Sequence, residues 1–94
     1  MVCVAVTYRV KPGAEEQAAA LLRRLTGPSR EEPACLTYQV HSVPDDPAVF
    51  FLYEQYEDRA GLDAHRASDH FRELAQGELF PLLESREPLE CVPL

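Results

Sequence analysis

Apolar and polar positions alternate from Val2 to Val10. Val2, Val4, Val6, Tyr8 and Val10 fall on one side and Cys3, Ala5, Thr7 and Arg9 on the other, which predicts a strand. Lys11-Pro12-Gly13 interrupts it, and from Ala14 the period changes. Ala18, Leu21, Leu22 and Leu25 take helical spacing, while Glu15, Glu16, Arg23 and Arg24 point outward in the order a helix dipole favours. Gly27-Pro28 is expected to end this helix. Ala34 to Val43 is a second strand, with Leu36, Tyr38 and Val40 opposed to Cys35, Thr37, Gln39 and His41. A Pro44-Asp45-Asp46-Pro47 turn joins it to a third strand, Val49 to Glu57. Asp58 suits the N-cap of a helix running through Leu62 to about His65. Ser68 or Asp69 suits the cap of a second helical segment carrying Phe71, Leu74 and Ala75. Pro81 and Pro88 flank the exit, and Leu89 to Val92 reads as a short closing strand.

Strand, helix, hairpin, helix, strand is the order of an α+β, ferredoxin-like βαββαβ domain, here one domain over residues 1–94. Right-handed crossovers put both helices on one face of a four-stranded antiparallel sheet. The third strand, however, is apolar on both faces: Val49, Phe51 and Tyr53 on one, Phe50, Leu52 and Tyr56 on the other. A face without helices would leave these side chains in water, so a homodimer through the open sheet face is expected, with a cavity enclosed between the two sheets.

Composition narrows the partners. Hydrophobic content of 46% suits a folded chain, and a net charge of −7 disfavours nucleic acid and anionic membrane surfaces. No apolar run approaches the roughly 20 residues of a membrane span, and no secretion signal stands at the N-terminus. The three cysteines, Cys3, Cys35 and Cys91, are odd in number and widely spaced, as suits reduced thiols and a cytoplasmic protein.

Four stretches in order across the chain carry a resemblance. They are Val10-Lys11-Pro12-Gly13, Ser29-Arg30-x-Glu32-Pro33-x-Cys35-Leu36-x-Tyr38, Phe51-Leu52-Tyr53-Glu54-x-Tyr56-x-Asp58, and Ala64-His65-x-x-Ser68-x-His70-Phe71. Together they resemble the antibiotic biosynthesis monooxygenase domains of the dimeric α+β barrel superfamily. That resemblance implies one of several activities. Relatives include cofactor-independent oxygenases of phenols, quinols and polyketide-like polycycles, haem-degrading enzymes and an isomerase of a phosphorylated sugar derivative. Haem-degrading relatives use an asparagine, a tryptophan and a histidine where this chain aligns Val6, Tyr56 and Ala75.

Among the residues that carry chemistry, His65 and His70 are the candidate catalytic groups, because imidazole takes and returns a proton near neutrality. In an oxygenase His70 is the expected base, with His65 or Tyr56 holding the substrate oxygen and Glu54 orienting the pair. Five residues apart on a continuous helix they would diverge by about 140°. A break near Ala67-Ser68 would let both face one cavity mouth. The structural alternatives are a half-exposed His65 and a His70 that caps or packs beneath Phe71. Glu54 lies within an apolar strand and needs a partner there. That partner is a histidine or substrate hydroxyl, or else an arginine such as Arg9 or Arg66. Tyr38, Tyr56 and Phe71 are candidate walls for a flat aromatic substrate, with core packing the alternative for the tyrosines. No flavin, nicotinamide, phosphate-loop or metal-ligand motif stands out, so no cofactor and no metal are expected. Three readings stay open: an oxygenase using O2 on a small aromatic substrate, a proton-transfer enzyme or isomerase, and a non-catalytic binding module. For a phosphorylated substrate, Arg59, Arg66 and Arg72 are candidate anion contacts.

Overall fold

Val4, Val6, Tyr8 and Val10 are nearly sealed from water on one side of β1 (Val2–Val10), as the alternation predicts. In the computed structural model, which describes all 94 residues, β1 is followed by α1 (Glu15–Arg30), β2 (Cys35–Ser42), β3 (Val49–Tyr56) and α2 (Arg59–Arg66). A π-helical segment (Phe71–Leu79), one 3-10 turn (Phe80–Leu82) and β4 (Leu83–Cys91) complete the chain. The strands form one antiparallel sheet in the order β2-β3-β1-β4. This is the predicted ferredoxin-like α+β arrangement. Leu21, Leu22 and Leu25 of α1, with Leu62, Ala75 and Leu79 from the later helices, close over the sheet and form the core. No helix is long and apolar enough to cross a membrane.

Three elements depart from the sequence pattern. First, α1 does not stop at Gly27-Pro28 but continues to Arg30. Proline there removes one backbone donor, and the last turn is completed beyond it by Glu31 N–H bonding Gly27 O. Second, the helical segment after α2 winds in wide π turns. Such turns are rare and concentrate near functional sites. Its buried Ala75 and Leu79 pack inward, and the Ser68 hydroxyl accepts from Phe71 N–H at its start. Third, β4 begins at Leu83 instead of Leu89. Glu84, Arg86, Glu87 and Pro88 mask it in the sequence, yet charges and proline are what a sheet edge tolerates.

Pairing also sorts the two faces. Opposite Ala5 of β1 stand Tyr53 on one side and Leu89 on the other, with Thr7 beside Phe51. These residues lie on the face that the helices leave uncovered. Leu89 is 64% exposed there, and Leu36, displaced by an irregularity between Cys35 and Thr37, is 49% exposed.

Candidate active site

The helix-side face of the sheet is not filled with apolar groups alone. Between β1, β3, β4, α2 and the π segment lies a cavity of about 410 Å³, within the size range of small-molecule sites. Val4, Val6, Leu62, Phe71, Phe80 and Pro88 supply its apolar walls. The polar groups reaching it are Tyr8, Glu54, His65, Arg66, Gln76 and Arg86. The cavity therefore sits within a single chain, under its own helices, on the opposite side of the sheet from the uncovered face.

Local sequence explains why His65 reaches this place. Asp58 caps α2 by accepting from Gly61 N–H at 2.9 Å. Gly61 then lets the helix approach the sheet: a Cβ there would lie 2.6 Å from Ala34 Cβ. One turn later His65 points inward and is only 3% exposed. The Phe71 ring meets its edge, and Tyr38 and Tyr56 pack around it.

Glu32, in the connection between α1 and β2, organises the histidines. His65 Nδ1 lies 2.7 Å, and His70 Nε2 2.6 Å, from the same oxygen, Glu32 Oε2. The chain break predicted at Ala67-Ser68 does bring both rings together, but onto this carboxylate. Only His65 goes on to line the cavity; His70 stays behind Glu32 with a 19% exposed side chain. Two imidazoles and a carboxylate are a metal donor set in kind. However, ligands about 2.0–2.1 Å from a tetrahedral ion stand roughly 3.3 Å apart. At 2.6–2.7 Å these atoms are hydrogen-bonded to one another.

On its other side, His65 Nε2 is 3.6 Å from Glu54 Oε1, too long for a hydrogen bond, so this nitrogen is free to meet a ligand. Glu54 finds neither of the arginines considered for it: Arg9 pairs with Asp46 and Arg66 with Glu90. Instead the Tyr56 hydroxyl donates to Glu54 Oε1 at 2.6 Å. Burial pushes the Glu54 carboxyl above its ordinary range, against the Tyr56 hydrogen bond and the nearby His65 and Arg66 charges. The hydroxyls of Tyr8, Tyr38 and Tyr56 are all raised, first by burial and then by the Glu54 charge. They remain neutral hydrogen-bond donors at physiological pH.

Of the residues singled out from the sequence, His65, Glu54 and Phe71 line the cavity. Tyr38, Tyr56 and His70 stand behind that lining. Of the arginines, Arg59 and Arg66 both hold Glu90 and Arg72 holds Asp69. Four polar cavity or network residues were missed: Tyr8, Gln76, Arg86 and Glu32. Arg86 sits in the part of β4 that sequence reading left out. Its guanidinium lies 4.2 Å above the Phe80 ring and has no carboxylate partner. Glu32 was visible only as a glutamate before a proline; its partners lie 33 and 38 residues away.

Comparison with known proteins agrees with this architecture. A family model described as antibiotic biosynthesis monooxygenase matches residues 1–77. Rv0793 of Mycobacterium tuberculosis is 33% identical over 70 residues, 74% of this chain and 68% of that protein. An uncharacterised protein of Synechocystis, sll1783, is 32% identical over 75 residues, 80% of this chain, which spans about half (51%) of that relative's length. A solved structure titled as an antibiotic biosynthesis monooxygenase superposes with a TM-score of 0.93 at 29% identity, covering 100% of this chain and 99% of its own. That of Pseudomonas aeruginosa PA3566 gives 0.92 at 31% identity, covering 99% and 93%. With four-fifths of its length matched in sequence and all of it in fold, this chain belongs to the antibiotic biosynthesis monooxygenase family.

Proposed function

We propose that the protein is a cofactor-independent monooxygenase of a small phenolic, quinol or polyketide-like substrate, and that His65 is its proton acceptor. The observation that carries this reading is His65 Nε2, unpaired, beside Glu54 on the wall of a cavity whose other walls include Phe71 and Phe80. Removing a hydroxyl proton from an electron-rich ring makes an anion that can itself give electrons to O2. One oxygen atom then enters the product and the other leaves as water, with every electron drawn from the substrate. The chain's part is to take the proton, hold the developing oxyanion and exclude water. His65 takes the proton, Glu32 fixes its ring through Nδ1, and the neutral Tyr8 hydroxyl with Arg86 faces the oxyanion. Phe71 and Phe80 flank the aromatic ring.

The working unit in this proposal is a homodimer packed through the uncovered sheet face, supported by Phe51, Tyr53 and Leu89 there. A second reading rests on Arg86, whose charge is unspent: the same His65 would shuttle a proton within an anionic metabolite, as an isomerase does. Oxygen uptake with a panel of hydroquinones and anthrones separates the two. The oxygenase reading expects uptake by chelator-treated protein, lost in His65→Ala. No uptake with any member, while anionic metabolites raise the melting temperature, would replace it with the second.

A further inference from the structure

We propose that Glu32 and His70 form a proton exit for the cavity, in which one carboxylate oxygen holds a single positive charge between two imidazoles. This rests on His65 being the cavity's proton acceptor. A purely structural pairing would spread two donors over the two carboxylate oxygens. Here both rings meet Oε2, and Oε1 is buried with no partner, a costly arrangement. Sharing one atom makes the two rings sense each other's charge. Their nitrogens lie within 4.8 Å, where two cations repel, so the carboxylate supports one imidazolium well and a second poorly.

The balance is simple. At rest the positive charge sits on His70, whose Nε2–H donates to Glu32 and whose Nδ1 makes no hydrogen bond within the protein. When a ligand hydroxyl gives its proton to His65 Nε2, His65 becomes the imidazolium that Glu32 holds. His70 then releases its Nδ1 proton to water. One proton enters from the cavity, one leaves to solvent, and the cluster's charge is unchanged. The reverse sequence returns a proton to the product. His65 is otherwise sealed, so it needs such a partner to exchange protons while the ligand fills the cavity. The other groups facing it are Glu54 and Tyr56 from β3, Tyr38 from β2 and Arg66 from its own helix; Cys35, at the start of β2, faces Glu32. Tyr38, Tyr56 and Cys35 all have raised pKa values, chiefly through burial, which keeps them protonated near neutrality.

The test is a ring-nitrogen NMR titration of 15N-histidine protein, with His41 as internal control, in wild type, His70→Phe and His70→Asn. His65 and His70 should titrate in two coupled steps in the wild type, and His65 in one step in both variants. Turnover should fall about tenfold or more in both variants with KM nearly kept, and added imidazole should restore it in His70→Gly. Asparagine can still donate to Glu32 but cannot titrate, so recovery of wild-type behaviour in His70→Asn would reduce His70 to a structural role. An identical His65 titration in wild type and His70→Phe would overturn the exit, even if oxygen is consumed. Coupled titration without oxygen uptake would leave the exit standing and remove the oxygenase reading instead.

Discussion

The two faces of this sheet come from the same four strands and invert the usual distribution of polarity. Under the helices sit His65 and Glu54, with the Tyr56 hydroxyl donating to Glu54. On the face that no helix covers sit Phe51, Tyr53 and Leu89. Burying polar groups and exposing apolar ones both cost stability, so each face records a demand other than folding. The covered face encloses the proposed reaction site, and the uncovered one is the surface proposed to meet a second copy of the chain. On that proposal, chemistry and assembly fall to alternate residues of β3, one residue apart.

Substitutions on one face should leave the other intact, and that separation can be broken or sharpened. The largest effect is expected at His65. His65→Ala should lower turnover by about 10² to 10⁴-fold, the range for a general base, with the dimer preserved in sedimentation. Phe51→Asp places a charge on the uncovered face. It should weaken self-association by about thirtyfold or more, a hot-spot loss of roughly 2 kcal/mol, while ligand still binds the cavity. Gly61→Ala tests the close approach that delivers His65. Overpacking against Ala34 should cost about 1–3 kcal/mol in chemical unfolding and weaken ligand binding as α2 is pushed outward.

The smallest effect concerns the Glu54 carboxyl. Its pKa is raised in the folded state, chiefly by burial, so the folded chain binds this proton more tightly than the unfolded one. Stability from this group is therefore greatest at low pH and is lost as pH rises from about 4.5 through the raised value. Glutamine carries no such dependence. Unfolding at a series of pH values should show wild type losing stability relative to Glu54→Gln as pH rises over that interval. Relative gain would contradict the buried, raised carboxyl.

Much of the fold was legible because burial follows the periods of Val2–Val10 and Ala18–Leu25. Where edges or local irregularities decide, it was not. Four of the nine residues of β4 are charged, as an edge strand that pairs on one side tolerates, so the stretch before Leu89 does not announce a strand, and Arg86 went unseen with it. Gly27-Pro28 looked like a stop because proline costs a hydrogen bond, a cost that one missing donor near a helix end makes small. At the candidate site, residue type was informative: two histidines and a carboxylate in an apolar strand come together beside the cavity. Their division of labour was not readable. Whether His65 or His70 meets the cavity depends on Glu32 and on the turn at Ala67-Ser68, and both are tertiary facts.

The claim on which the rest depends is that ligand binds under the helices and not between the sheets. A crystal structure with a slowly oxidised phenol would test it most directly. The account predicts the phenol oxygen within hydrogen-bonding distance of His65 Nε2, its ring between Phe71 and Phe80. A phenol bound instead against Phe51 and Tyr53, with the helix-side cavity empty, would contradict it.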